Sequence, residues 1–260
     1  AWQMQNGIPV YNVASSSAYG SWGPKMEGQT IIDWDGHQKQ FLPQPNNYKD
    51  YFQTGIMLNN AIAIEGGKEK ITYRLNLADL RNKDYIPNVK MNRTNLSSSI
   101  EIHPISKLKI HSFINYIRNT NENRFGLSDA HNNVNRNYIM MPRHISDESL
   151  RNNTMDENGN EVTWYMNWNW MTNPYWNHQF EQNSDIKDRI INKLSLNYDV
   201  SKNFNLMFRS AIDKTIQHFE NRDASNGLIN GNGFFGLRDV EIWEYNTDFL
   251  VNYQNQISDD

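Results

Sequence analysis

The residues best suited to bind something lie in one aromatic run, Trp164-Tyr165-Met166-Asn167-Trp168-Asn169-Trp170, followed closely by Asn173-Pro174-Tyr175-Trp176. Ring faces interleaved with amides suit a sugar, whose C–H faces stack on the rings while Asn side chains hydrogen-bond its hydroxyls. The same mixture suits a peptide or a protein lid. Packing is the competing use, because a long loop needs a small core of its own. Trp164, Tyr165, Trp168, Trp170, Tyr175 and Trp176 are therefore the candidates for contact with a ligand or a lid. Arg74, Asn76, Arg93 and Arg209 form a second set, placed to line a polar path or to pair with acidic groups on neighbouring strands.

Signals for covalent chemistry are weak. The 7 His residues are scattered, with no His-Glu-x-x-His or His-x-His spacing, and 29 Asp and Glu are too many for spacing to nominate a glycosidase pair. Asp156-Glu157-Asn158-Gly159-Asn160-Glu161 resembles part of a calcium loop, but it lacks the acidic spacing and the closing Glu in register and reads better as an Asn-Gly turn. Gly231-Asn232-Gly233 precedes no helical pattern, so it is no phosphate loop. With no Cys, thiol nucleophiles and zinc-thiolate sites are excluded. No catalytic residue, metal or cofactor is expected, and the chain does not read as an enzyme.

The elements that would position these residues are strands. Ile71, Tyr73, Leu75 and Leu77 alternate with Thr72, Arg74, Asn76 and Ala78, and the same period of two recurs over 95–103, 192–200, 204–213 and 245–253. These segments run to about ten residues and number about seven, the weak dyad signal of a transmembrane β-barrel. Short polar turns at Gly66-Gly67-Lys68-Glu69, Pro104-Ile105-Ser106-Lys107 and Ser201-Lys202-Asn203 alternate with long connections over 81–90, 119–187 and 216–242. Short turns on one side and long loops on the other are the asymmetry of outer-membrane barrels, which puts Glu65 near the periplasmic rim and Arg81 near the outside.

Composition agrees with this reading. Apolar residues make up only 38% of the 260 and aromatics 12%, and the mean hydropathy is −0.79. A conventional core would be thin, whereas a wall with one watery face and aromatic girdles accounts for both numbers. No run approaches the ~18 apolar residues of a membrane helix. The net charge of −4 offers no field for phosphate backbones, so nucleic acid is not an expected partner.

Several strings, in order, resemble the SusC/RagA family of TonB-dependent outer-membrane transporters: Ser21-Trp22-Gly23-Pro24-Lys25-Met26-Glu27-Gly28-Gln29, Trp34-Asp35-Gly36, Pro43-Gln44-Pro45-Asn46-Asn47, Phe52-Gln53-Thr54-Gly55, Gly66-Gly67-Lys68-Glu69-Lys70, Tyr73-Arg74-Leu75, Ile86-Pro87-Asn88, Asn92-Arg93, Asn173-Pro174-Tyr175-Trp176 and Asp188-Arg189-Ile190-Ile191. The resemblance places residues 1–54 as an extracellular loop region before a barrel strand, and 55–260 as early barrel strands with long outer loops. The family's plug domain and its later strands would lie outside this chain. It implies import of a large nutrient, most often an oligosaccharide and sometimes a peptide. A SusD-like surface lipoprotein would form the lid, the TonB complex would act through the plug, and outer-membrane lipid would surround the wall. A secreted or surface β-sandwich that binds glycans, an adhesin, is the rival, and strand length separates them: sandwich strands cluster near five or six residues.

Overall fold

The computed structural model describes residues 2–15, 18, 20, 23–166 and 170–255. Four short strands open the chain: β1 Trp2–Gln5, β2 Ile8–Tyr11, β3 Thr30–Ile32 and β4 Gln38–Gln40. Seven long ones follow: β5 Ile56–Lys68, β6 Ile71–Lys83, β7 Lys90–Ile105, β8 Leu108–Glu122, β9 Glu181–Ser201, β10 Phe204–Ser225 and β11 Asn232–Tyr253. Three short helices, α1 Val134–Met140, α2 Asp147–Asn152 and α3 Pro174–Phe180, lie between β8 and β9.

The seven long strands form one antiparallel meander in chain order, β5 to β11. This is an all-β, antiparallel architecture, in keeping with a segment of a barrel wall. The other sheet, β1 to β4, has strands of three or four residues, and its Tyr11 joins the core of the loop region. Two large facing sheets, as a sandwich requires, do not occur among the described residues.

Register preserves the alternation across the whole meander. Leu77 lies opposite Ile62 and Leu96, Leu96 opposite Tyr116, Tyr116 opposite Ile190, Ile190 opposite Lys214, and Lys214 opposite Trp243. Directly paired residues share a face. One face therefore carries Ile62, Ile64, Leu75, Leu77, Leu96, Ile114, Leu194, Phe249 and Val251, all exposed. Tyr73, Tyr198 and Tyr253 lie nearer its short-turn end, and Tyr245 and Trp243 nearer the other. The opposite face carries Arg74, Asn76, Ser97, Ser99, Arg189, Arg209 and Asp213.

The strands outrun the alternation that announces them. β5 and β6 have 13 residues, and β9 to β11 have 21 or 22. The expected long loop at 216–242 is mostly hairpin, since β10 and β11 stay in register from Phe204 opposite Tyr253 to Ser225 opposite Asn232, leaving 226–231 as the connection. Beyond the apolar belt polar side chains enter both faces, as at Lys187, Gln217 and His218, and the strict alternation is lost, so the pattern reads as loop while the backbone ladder continues. Similarly, the connection expected at 119–187 contracts to 123–180, and the one at 81–90 to 84–89. Gly66 and Gly67 are strand residues rather than turn. Gly67 is needed because a Cβ there would sit 2.7 Å from the Ile71 carbonyl oxygen, and Gly66 lets the Tyr73 ring lie across it.

Turns of two residues, at 69–70, 106–107 and 202–203, close one end of the sheet. At the other end, the described residues of 2–55, 84–89 and 123–180 fold into a cap with its own core. Tyr11, Trp34, Tyr51, Ile86, Val89, Val134, Tyr138, Met141, Ile145, Leu150, Trp164, Tyr165 and Met171 make up that core.

Candidate ligand-binding face and cap

Local chemistry explains why the aromatic segment folds. Asn173 caps α3, its side-chain oxygen accepting from the Tyr175 backbone N–H at 3.0 Å, and Pro174 occupies the first turn, where its missing N–H costs nothing. The Asn173 amide nitrogen donates to the carbonyls of Leu150, Asn153 and Val162, so one buried side chain ties three segments together. Ser146 caps α2 through the Ser149 N–H, with Asp147 and Glu148 suited to the positive end of that helix.

Most of the candidate rings are used in packing. Trp164 is fully buried, Tyr165 and Trp176 are 2% exposed, and Trp176 lies 4.4 Å from the Phe180 ring. Trp170 is partly buried with the Arg136 guanidinium over its face at 5.1 Å. Tyr175, also partly buried, donates its hydroxyl to Asp147 at 2.7 Å, and the Arg151 guanidinium lies 5.8 Å from its ring centre. Trp168 lies outside the described residues. Packing, the competing use weighed from the sequence, accounts for Trp164, Tyr165 and Trp176.

Asp147 is the polar centre of the cap. Buried, it accepts from the hydroxyls of Tyr138 at 2.5 Å and Tyr175 and pairs with Arg151 at 3.1 Å. Burial, then the Asp147 charge, pushes the Tyr138 hydroxyl far above its ordinary range, so it stays a donor. Tyr51 stacks on His178 and shares a 2.6 Å hydrogen bond with its Nε2. Burial lowers the His178 pKa to about 4, which keeps the ring neutral. Glu161 is almost fully enclosed. It accepts from the backbone N–H groups of Asn173 and Leu228, both at 2.9 Å, joining the cap to the β10–β11 connection. Burial raises its pKa to about 7. None of these hubs stood out in the sequence; the Asn-Pro pair at 173–174 and the Ser at 146 ahead of two acids were the usable signals.

On the polar face of the sheet, Arg74, Asn76, Arg93 and Arg209 share one side as their alternation implied. Arg74 pairs with Glu65 at 3.2 Å and Asn76 donates to Ser97 at 3.1 Å. Arg209 makes a two-pronged contact with Asp248 at 2.8 and 3.0 Å. Arg93 is exposed, its register partners being Leu80 and Asn119. Arg189 with Asp213 and Lys109 with Glu101 continue the pairing, so much of the charge along this face is compensated in pairs. Asp156 accepts from the backbone of Asn158 and Asn160, with Gly159 at φ +79°, which is the turn expected there. No cluster of His, Asp and Glu able to hold a metal ion occurs among the described residues.

No family model and no curated protein matches the sequence. Solved structures do. A structure of the RagAB peptide transporter aligns over 94% of this chain and 27% of that chain, with a TM-score of 0.65 and 15% identity. The RagAB peptide importer in its closed-closed state aligns over 89% and 25%, with a TM-score of 0.64 and 14% identity. At such identity the likeness is one of fold, and this chain spans about a quarter of each matched chain.

Proposed function

We propose that the chain is part of the wall and external cap of a TonB-dependent outer-membrane transporter that imports an oligomeric nutrient. The observation that carries this reading is the meander itself: one face an apolar belt bounded by Tyr and Trp, the other a field of ion pairs, with two-residue turns at one end and a folded cap at the other. Water on both sides would not favour exposing Leu75, Leu77, Phe249 and Val251 together, whereas lipid on one side does. The ladder is open at β5 and β11, and further strands of the parent would cover those edges. The fold likeness to RagAB chains and the resemblance to the SusC/RagA family point the same way. A SusD-like lipoprotein over the cap, and a TonB complex acting through a plug, are the partners this reading implies.

The cargo is better read as a peptide than as an oligosaccharide. The rings that suggested a sugar are largely spent on the cap core, and the face left open is lined with amides and charged groups, which suit peptide backbone and termini.

Sidedness tests the proposal. Glu157→Cys in the cap and Glu69→Cys in a short turn are introduced into the parent, and whole cells are treated with a membrane-impermeant maleimide. Labelling at 157 and protection at 69 are expected. Labelling at both, or recovery of the parent in the soluble fraction, would overturn it.

A further inference from the structure

Five carboxylates on the polar face are compensated by arginine or lysine: Glu65 by Arg74, Glu101 by Lys109, Asp213 by Arg189, Asp248 by Arg209 and Asp185 by Arg124. Elsewhere on this face Asp199 accepts from the Asn205 amide, and Glu244, opposite the arginine-paired Asp213, accepts from the Asn246 amide. The cap-side ends of β9 and β10 differ in opposing two carboxylates of which neither meets an arginine or lysine among the described ion pairs. Glu181 of β9 and Asp223 of β10 are direct register partners, and directly opposed like charges destabilise a sheet. Among the described ion pairs Glu181 meets only His131, at 3.0 Å, while the Asp223 carboxylate accepts from the amide of Asn230, a neutral group. The next residue in the same cross-strand row is Phe234 of β11, opposite Asp223 and half exposed. Two carboxylates and a ring thus stand in line.

That row lines a cavity of about 290 Å³ between the cap and the cap-side ends of β9 to β11, with His131 and Asn132 on the cap side and Asn183, Asn221 and Asn230 adding amide oxygens and N–H donors. The Glu181 side chain is 9% exposed, so its charge faces a partly dry surrounding. Burial, with Glu181 contributing, holds the Asp223 carboxyl above its ordinary range, the mark of a negative site short of positive charge.

We infer that this cavity is a subsite for a primary ammonium group of the transported cargo, held by Glu181 and Asp223 with the Phe234 face against it. Charge-assisted N–H···O bonds to two carboxylates and a cation–π contact are the recognition an –NH3+ group calls for, and amide oxygens can take its third hydrogen. A sheet that carries uncompensated charge at a ligand-facing position gives up stability there and recovers it when a cation binds. Peptide N-termini, lysine side chains and amino sugars all present this group. The inference rests on the transport reading, and it names which cargoes that reading should favour.

Calorimetry on the intact parent in detergent tests it, with free and N-acetylated pentaalanine, an acetylated pentapeptide with and without one lysine, and the pentamers of chitosan and chitin. Wild type should bind the amine-bearing member of a pair about tenfold more tightly than its acetylated partner, and the pair that shows this identifies the source of the ammonium. Asp223→Asn and Phe234→Ala should erase the preference. Because Asp223→Asn also removes the like-charge opposition, its melting temperature should stay level or rise, which a purely structural Asp223 would not allow. Equal binding of both members of every pair by wild type would overturn the inference, as would an undiminished preference in Asp223→Asn. Uptake by cells separates the two levels: import of free and acetylated peptides alike defeats the subsite and leaves the transporter, whereas import of neither defeats both.

Discussion

The sheet and the cap solve opposite problems with the same kinds of residue. Every buried apolar side chain among the described residues lies outside β5 to β11, while most exposed large apolar ones lie within those strands. In the cap, Trp, Tyr and Ile are drawn inward and polar groups are satisfied around Asp147, Asn173 and Glu161. Across the meander the exposed apolar belt occupies one face, while ion pairs line the other and also the cap-side part of the belt face, as at Arg118 with Asp188 and Lys214 with Glu241. The cap buries its apolar side chains in a core of its own, whereas the sheet leaves them exposed on one face, the arrangement that the proposed wall, with lipid against that face, would require.

The largest expected effect falls on the cap core. Trp164→Ala in the parent should destabilise the cap by about 3–5 kcal/mol, seen as protease cleavage within 123–180, while heat-modifiability shows the barrel still inserted. Loss of insertion would mean that cap and wall fold as one unit and would break the comparison. Next comes the belt: Leu75→Arg should cost roughly 2–4 kcal/mol near the bilayer midplane, and Asn76→Arg on the opposite face far less, in an equilibrium folding assay with lipid vesicles. Equal costs would reverse or abolish the assigned faces.

A third test uses pH. Glu161 titrates about 7 in the folded cap against an ordinary value of 4.5, so between those values the folded state holds a proton that the unfolded state has lost. Its contribution therefore falls as pH rises from about 4.5 to about 7 and is level above. His178 has the opposite sign: with its pKa lowered from 6.5 to about 4, the unfolded state takes up a proton first, so stability falls as pH drops through that window. Wild type should consequently show a shallow dependence of cap melting, and Glu161→Gln should expose the His178 slope, losing stability toward acid. Parallel curves for the two proteins would show that Glu161 does not titrate as stated. The smallest effect belongs to the exposed pair on the polar face, where Arg209→Ala should leave folding within error of wild type, because solvent screens such contacts.

Much of the long sheet was legible in the chain. Ile71-Tyr73-Leu75-Leu77 against Thr72-Arg74-Asn76 specifies two faces, and a period of two permits only a strand. The strand ends were not legible, because alternation marks contact with an apolar medium and β9 to β11 keep pairing for ten residues or so beyond it. In the cap, Trp164 and Trp176 could be recognised as important but not as buried, since an aromatic-amide string has the same composition whether it binds a ligand or fills a core.

What the sequence alone determined is local: the strand period, the short turns at one end, the Asn173-Pro174 helix start and the absence of cysteine chemistry. Tertiary structure decided the rest. Asp147 gathers two tyrosines and an arginine from 138, 151 and 175, Glu161 reaches Leu228, and Glu181 comes to face Asp223 across a hairpin partner 42 positions away in the chain (223 minus 181). Such juxtapositions depend on register and on how loops fold back, and no period or motif in a single sequence encodes a contact between segments that only the paired ladder brings together.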